Sequence, residues 1–291
     1  MSTFSTLIVG GLATGAIYAV VAIGFALLWQ ASQTINFAQG EFVMLPAFFA
    51  LIAMGMGAPY WLAALVTIGM SVVILGAMFK QMLVDPMIKH GVLPMAIATM
   101  ALAIFMKESV KDLYSAEAYP FPSLVPDRNL AILGANISLQ HIGIIVTAIG
   151  AIIGLTLLLE RTSIGRQMQA TAQNPTVARL LGIPVERMIL LTFVINAVLV
   201  SIASLLVTPI YLAKFSSGET LGLAAFIAAI IGGFNQLRGA IIGGFLLGVV
   251  DNLAAAYIST QYRSAVPLFI LIAVILFRPH GIAGRKEERT V

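Results

Sequence analysis

Two apolar runs, at 139–159 and 188–212, constrain this chain most. Each is near the ~20 residues that carry a helix across a bilayer. Hydrocarbon offers no hydrogen-bond partners, so such runs fold as helices that satisfy their own backbone. Between them lies a polar interruption, ERTSIGRQMQATAQNPTVARLLGIPVER, with Arg161, Arg166, Arg179 and Arg187. Lys and Arg resist translocation, which marks this loop, about 160–187, as cytoplasmic. The loop has internal order. Pro175 suits a first helical turn, and residues 176–181 can form a short helix with Val177, Leu180 and Leu181 on one side. Gly182 and Pro184 then stop it. A short helix with an apolar edge at a cytoplasmic membrane surface is suited to docking another protein.

Composition agrees with a membrane solvent. Of 291 residues, 60% are hydrophobic and 10% charged, against roughly 25% charged in soluble domains. The fold class is therefore all-α integral membrane, a polytopic helical bundle of about 8–10 transmembrane helices, some short or broken. Cysteine is absent, which excludes disulfides and thiolate metal sites. The net charge of +4 reflects positive charge retained on inner loops rather than nucleic-acid binding. No Lys or Arg precedes the run at 7–28, which exceeds a signal-peptide core and reads as a retained span.

Nine apolar segments follow one another, at 7–28, 42–56, 60–79, 92–106, 139–159, 188–212, 221–234, 239–257 and 266–277. Several are short for a ~30 Å hydrocarbon core and suit half-helices or re-entrant pieces. Alternating from a cytoplasmic arginine loop puts the N-terminus outside and the C-terminus inside. Inner loops then carry eleven basic residues: Lys80, Lys89, Arg161, Arg166, Arg179, Arg187, Arg238, Arg278, Arg285, Lys286 and Arg289. Outer loops carry five: Lys107, Lys111, Arg128, Lys214 and Arg263. That bias favours this topology over its inverse. The longest outer connection, about 107–138, contains Pro120, Pro122 and Pro126, which argue against one continuous helix. It is either a docking surface for an external partner or a plain connection.

Small residues recur at helical spacing within the spans. Gly11 with Gly15, Gly239 with Gly243, and Gly244 with Gly248 each form a small-xxx-small pair. Such pairs let backbones approach closely in lipid, either within the chain or against a second membrane subunit. Polar breaks at 30–41 and 235–239 interrupt apolar, Gly-rich segments in both halves, a weak sign of repeat symmetry. Pro46, Pro94 and Pro209 fall inside apolar runs, where they should kink or break a helix.

No phosphate-binding GxxxxGK[ST] loop and no HExxH occur, and His90, His141 and His280 are isolated near span ends. A catalyst working alone is disfavoured, and the sequence points to no cofactor and no metal site. Polar residues inside or beside spans are more informative, since charge at bilayer depth is costly and turns towards a cavity or partner. Asp251, beside Asn252, is a candidate for a pathway or gate, with a structural hydrogen bond as the alternative. Asn36 and Glu41 bracket NFAQGE, and Glu41 opens a span, where a carboxylate also suits the helix dipole. Asn196 reads as an interhelical hydrogen-bonding group. Asn235 is a further pathway candidate, though with Gln236 it can simply form a turn.

The chain resembles the integral-membrane permease subunits of branched-chain amino acid ABC importers, of the H type. The resemblance runs nearly end to end, through GLATGAIYAVVAIGFALLW, INFAQGEFVML, RTSIGRQMQATAQNPTVARLLGIPVERMILLTF, AAFIAAIIGGFNQLRGAIIGGFLLGVVDN and LFRPHGIAG. It implies a single transmembrane permease domain over 1–291, in a multi-pass protein of the bacterial inner membrane. It implies a homologous second permease, two cytoplasmic ATPase subunits and an extracytoplasmic solute-binding protein as partners, beside the lipid bilayer, with no nucleic acid. ATP hydrolysis then sits on the partners. Gln173, Asn174, Pro175, Val177, Arg179, Leu180, Leu181, Gly182, Ile183 and Pro184 look like the element that couples to an ATPase. The chain departs from many relatives at Asp251, where Glu is expected, at Gln39, where His is common, and at Pro46, where a small residue is usual. Two rivals stand beside this reading. One is an ion-gradient-driven secondary transporter with Glu41 and Asp251 as ion or proton sites, and the other a scaffold subunit without a substrate path.

Overall fold

Apolar runs that must satisfy their own backbone dictate helices, and helices dominate the computed structural model. It describes residues 2–123, 125, 128–132, 135–258, 265–278 and 280–284. Pro126, Arg263, Arg285, Lys286 and Arg289 lie outside the described residues. In chain order the elements are α1 (Ser2–Ser32), α2 (Gln39–Gly55), α3 (Tyr60–His90), α4 (Val92–Tyr114), β1 (Asn129–Ile132), β2 (Ala135–Ser138) and α5 (Leu139–Arg161). Then come α6 (Ser163–Gln173), α7 (Pro175–Leu180), α8 (Val185–Tyr211), α9 (Ser217–Gly232), α10 (Leu237–Tyr257) and α11 (Ala265–Phe277). Each of the nine apolar segments contains a helix. Six helices (α1, α3, α4, α5, α8 and α10) are long and apolar enough to cross a membrane, while α2, α9 and α11 are shorter. The chain is an all-α polytopic membrane protein.

Helices α3 and α4 run well past the ends of their apolar segments. Helix α3 passes residue 79 and reaches His90, widening into π-type turns over Val72–Met78 and Lys80–Val84. Lys80, expected in a loop, is buried on this helix with its ammonium 2.9 Å from Asp85. The pairing lets a charge sit where a lone one would end the span. Helix α4 continues past 106 to Tyr114, so Lys107 and Lys111 are helical and pair with Glu219 and Glu108 at 2.8 and 2.9 Å. Pro94 falls in the first turn of α4, where backbone N–H groups lack intrahelical acceptors, and it does not break the helix. Pro46 and Pro209 do lie inside helices, and α8 stops two residues after Pro209. The long outer connection holds an antiparallel hairpin, Asn129 opposite Ser138 and Ile132 opposite Ala135.

The chain divides into two compact units. One comprises Met1–Ala26, Ser123–Thr147 and Leu223–Val291. In it, α1 and α10 meet backbone to backbone. A Cβ added to Gly11 would lie 2.8 Å from the Val249 Cα, and one on Gly15 2.8 Å from the Phe245 Cα. Gly244 abuts Ala19 and Gly248 abuts Gly15, so these four glycines form one seam. Gly239 and Gly243 lie against the carbonyls of Gly232 and Ala228 on α9. Without a side chain at these points the helices pack at closer range, which is how association is driven in lipid. Phe25, Phe226 and Phe234 meet at tilted to edge-on angles with centroids 5.4, 6.4 and 5.7 Å apart. Near the C-terminus, the N–H groups of Ile282 and Ala283 donate to the carbonyls of Ile231 and Gly232 at 2.8 and 3.0 Å. These carbonyls end α9 and have no partner within it.

The other unit comprises Leu27–Pro122 and Ala148–Gly222. Its centre is built by α2, α3 and α8. Phe42 and Phe79 meet edge to face at 4.8 Å, and Phe79 meets Phe193 at 5.8 Å. A second cluster joins Met44, Ala47, Phe48, Val110 and Ala213. Tyr119 and Ala213 exchange backbone hydrogen bonds at 2.9 Å beside it.

The glycine seam makes a direct prediction. Gly248→Leu is expected to force α1 and α10 apart and cost about 1–3 kcal/mol, read as a lowered Tm of the solubilised protein. Gly150, on α5, has no atom within 4 Å of an added Cβ. Gly150→Ala is therefore expected to hold or raise Tm, by up to ~1 kcal/mol from helix propensity. Equal losses at both positions would sink the packing argument.

Candidate functional site

The break between α1 and α2 is built by side chains standing in for helix hydrogen bonds. Ser32 donates to the Leu28 carbonyl at 2.7 Å and lies 2.6 Å from the Thr34 hydroxyl. Gln33 adopts φ 52°, a left-handed conformation that ends α1. Asn36 then accepts from the Ala38 N–H at 3.0 Å, an Asx turn that redirects the chain into α2. The Phe37 N–H donates to Thr99 on α4 at 3.2 Å. Irregular backbone inside a membrane protein needs such partners.

Gln39 and Asn196 form a pair not evident in the sequence. Gln39 donates to the Asn196 Oδ1 at 2.7 Å, and Asn196 donates back to the Gln39 Oε1 at 3.0 Å. Both residues are 0% exposed. Asn36 adds a longer contact to the same Gln39 oxygen, at 3.4 Å. The available signal was two lone amides, Asn196 within an apolar segment and Gln39 just before one, each needing a partner.

Glu41 sits in the first turn of α2, where the helix dipole favours a carboxylate. It is only 5% exposed, and its Oε2 is enclosed without a hydrogen-bond partner among the described residues. The carboxylate rests on the first turn of α9. A Cβ on Gly218 would strike the Glu41 Oε2 and lie 2.7 Å from its Cδ. Gly40 packs in turn on the Gly218 carbonyl and on Gly222. The charged groups whose fields reach Glu41 are Lys107 and Glu219, themselves paired at 2.8 Å. Acids held at such depth are costly and are characteristically functional.

Asn235 and Asp251 belong to the other unit. Asp251, on α10, is buried and accepts a hydrogen bond from the Tyr18 hydroxyl of α1 at 3.2 Å. Asn235 is exposed in the turn between α9 and α10. Helix α10 separates them, since Leu237 to Asp251 spans roughly 21 Å at 1.5 Å per residue. The structure thus groups Asn36 with Glu41 and keeps Asn235 away from Asp251. Among the described residues, no three His, Asp or Glu side chains gather where a metal ion could sit.

The arginine-rich stretch folds as two helices. The first, α6, was not evident in the sequence; Thr162 caps it by accepting from the Gly165 N–H at 2.9 Å. The second, α7, starts at Pro175 and is capped by Asn174, whose Oδ1 accepts from the N–H groups of Thr176 and Val177, both at 3.0 Å. Gln173 ends α6 just before this cap. Leu181 follows α7, and Gly182 takes φ 79° and donates to the Arg179 carbonyl at 3.0 Å, while Ile183 donates to that of Ala178. Pro184 precedes α8. Arg179 pairs with Glu186 in the first turn of α8 at 2.9 Å. Ala178 is buried, whereas Val177, Leu180 and Leu181 are 47%, 83% and 73% exposed. The helix thus presents an apolar edge outwards from an anchored back.

Residues 7–275 match the family model described as branched-chain amino acid transport system / permease component. Over 297 residues the chain is 32% identical to the high-affinity branched-chain amino acid transport system permease protein BraD of Pseudomonas aeruginosa, covering 98% of this chain and 97% of that one. It is 32% identical to the corresponding permease LivH of Escherichia coli, covering 97% and 96%. It is 26% identical to a probable branched-chain amino acid transport permease LivH of Methanocaldococcus jannaschii, covering 91% and 88%. No solved structure matches significantly. With its spans, its broken helix ends and this end-to-end similarity, the chain belongs to the branched-chain amino acid permease family, a non-catalytic membrane subunit of ABC-type transport systems.

Proposed function

We propose that this subunit carries branched-chain amino acids, or related small amino-acid or amide-type solutes, through the bacterial inner membrane into the cell, driven by ATP hydrolysed on partner subunits. The observation that carries the cargo class is the similarity over nearly the full length to permeases so named. The partners are a homologous second permease, two cytoplasmic ATPase subunits and an extracytoplasmic solute-binding protein. The N-terminus lies outside and the C-terminus in the cytoplasm, with the arginine-rich stretch inside; the basic-residue bias supports this orientation. Residues 1–291 act as one permease domain.

Each element then has a task. The binding protein delivers solute from outside. ATP closes the ATPase dimer, and α7 receives that movement through Val177, Leu180 and Leu181. Asn36, Glu41, Asn235 and Asp251 line or gate the path as it opens to one side and then the other. Glu41 suits a gate because its carboxylate rests on the glycine-lined start of α9, so a small shift of either helix changes what it meets. The glycine seams at Gly11, Gly15, Gly239, Gly243, Gly244 and Gly248 keep the moving parts rigid. Solute shifts such an equilibrium only through its different affinity for the two states.

Two predictions follow from this assignment. L180A/L181A removes the exposed leucines of the docking edge and is expected to weaken ATPase docking by about 1–3 kcal/mol. ATPase activity recovered with the permease from mild detergent should fall while the permease stays folded; full recovery with native uptake would remove the docking role. E41Q and Gly218→Ala address the gate, the second by placing a methyl against the carboxylate. E41Q removes the buried charge and Gly218→Ala overpacks it; both are expected to slow uptake, the second by the equivalent of about 1–3 kcal/mol. Native solute uptake in both variants would exclude Glu41 from the pathway.

A further inference from the structure

We infer that the Gln39–Asn196 amide pair is a positioning joint: it passes movement of the docking helix α7, through α8, to the Asn36–Glu41 segment. This rests on the importer reading above and adds the route within the subunit. The route is continuous on the page and lies inside one compact unit. Helix α7 is fastened to the start of α8 by Arg179 on Glu186 at 2.9 Å, and to the short connection before it by the Ile183 N–H on the Ala178 carbonyl at 3.0 Å. From Val185 the helix runs unbroken to Asn196, a rigid arm of roughly 16 Å.

At the end of that arm, α8 grips α2 through two reciprocal hydrogen bonds of 2.7 and 3.0 Å. The grip falls on the first residue of α2, where the chain has just left the break and where an isolated turn would otherwise fray. Asn36 also reaches the Gln39 oxygen at 3.4 Å, and Glu41 is two residues further on, in contact with Gly218. Displacing Asn196 therefore displaces the turn that aims Asn36 and Glu41. Apolar contacts between α2 and α8 can slide, whereas two directional bonds between fully buried amides hold one register. A pair needed only for stability would suit any height along the α2–α8 contact; this one stands at the mouth of the candidate gate.

The test uses the complete importer, with its second permease, ATPases and binding protein, reconstituted in proteoliposomes. Leucine taken up per ATP hydrolysed is measured beside Tm. Single changes strand one buried amide, so Q39M and N196L are expected to lower Tm. The double variant Q39M/N196L removes both partners at nearly constant volume and is expected to recover Tm. Its leucine-per-ATP ratio should nonetheless fall roughly 2- to 30-fold, the size of couplings carried between sites. The exchanged pair, Q39N/N196Q, is expected to regain most of the ratio. A native ratio in the folded double variant overturns the joint and leaves the importer reading standing. Should the double variant not fold, Asn196→Ser, which shortens the reach, carries the same test, and a native ratio there overturns the joint as well. Absence of ATP-driven uptake of leucine and of the related amino-acid and amide solutes by the unaltered assembly overturns the importer reading and the joint with it.

Discussion

Close backbone contact at glycine is the interaction on which the rest of this structure depends. Between lipid-solvated helices no hydrophobic effect draws apolar faces together, so association relies on dispersion and on approach distance. Gly11, Gly15, Gly244 and Gly248 let α1 and α10 touch at their backbones, and Gly239 and Gly243 do the same for α10 and α9. The other unit repeats the device where Gly40 meets Gly218 and Gly222. There it has a second consequence, because the space a side chain would fill is taken by the Glu41 carboxylate. The same absence of Cβ atoms that packs helices also lets an acid lie against a helix start.

The second constraint is polar satisfaction away from water. A helix interrupted at membrane depth exposes N–H and carbonyl groups, and each must find a partner. The break after α1 meets this demand locally, with Ser32 on Leu28, Asn36 on Ala38 and Thr99 on Phe37. Lys80 meets it by pairing with Asp85, and Asp251 by accepting from Tyr18. The enclosed Oε2 of Glu41 departs from that pattern: it lies against Gly218, which offers no side-chain donor, and is the one carboxylate oxygen among the buried side-chain atoms left without a partner among the described residues.

Much of this was legible in the sequence for one reason: apolar length and the placement of arginine are local properties. All nine apolar segments contain helices, and the sequence locates α7 to within one residue because Pro175 and Gly182 punctuate it. What was not legible depends on side-chain pairing, some of it with partners distant along the chain. Lys80 reads as a loop residue until Asp85 is seen to neutralise it, so the end of α3 was set too early. Lys107 and Lys111 ended α4 early for the same reason, their partners being Glu219 and Glu108. Asn196 reads as a hydrogen-bonding residue, yet nothing local names Gln39, 157 positions away, as its partner. Helix α6 is not legible as a span because its polar face dilutes the apolar signal.

Helix α7 shows how such a subunit can offer a docking edge without a large ordering cost. Six residues are far too few to hold a helix alone, since nucleation is unfavourable and isolated helices below ~12–15 residues are marginal. Here the shape is imposed from both ends. Asn174 satisfies two of the leading N–H groups, and Gly182, in a left-handed conformation open to it without steric cost, closes the trailing carbonyls. Ala178 anchors the back, so Leu180 and Leu181 project from a fixed frame. A partner that buries them gains apolar contact without having to order the loop first, and such preorganisation is what turns a small surface into a useful contact. A flexible loop would absorb an imposed displacement; a capped helix fastened to α8 passes it on.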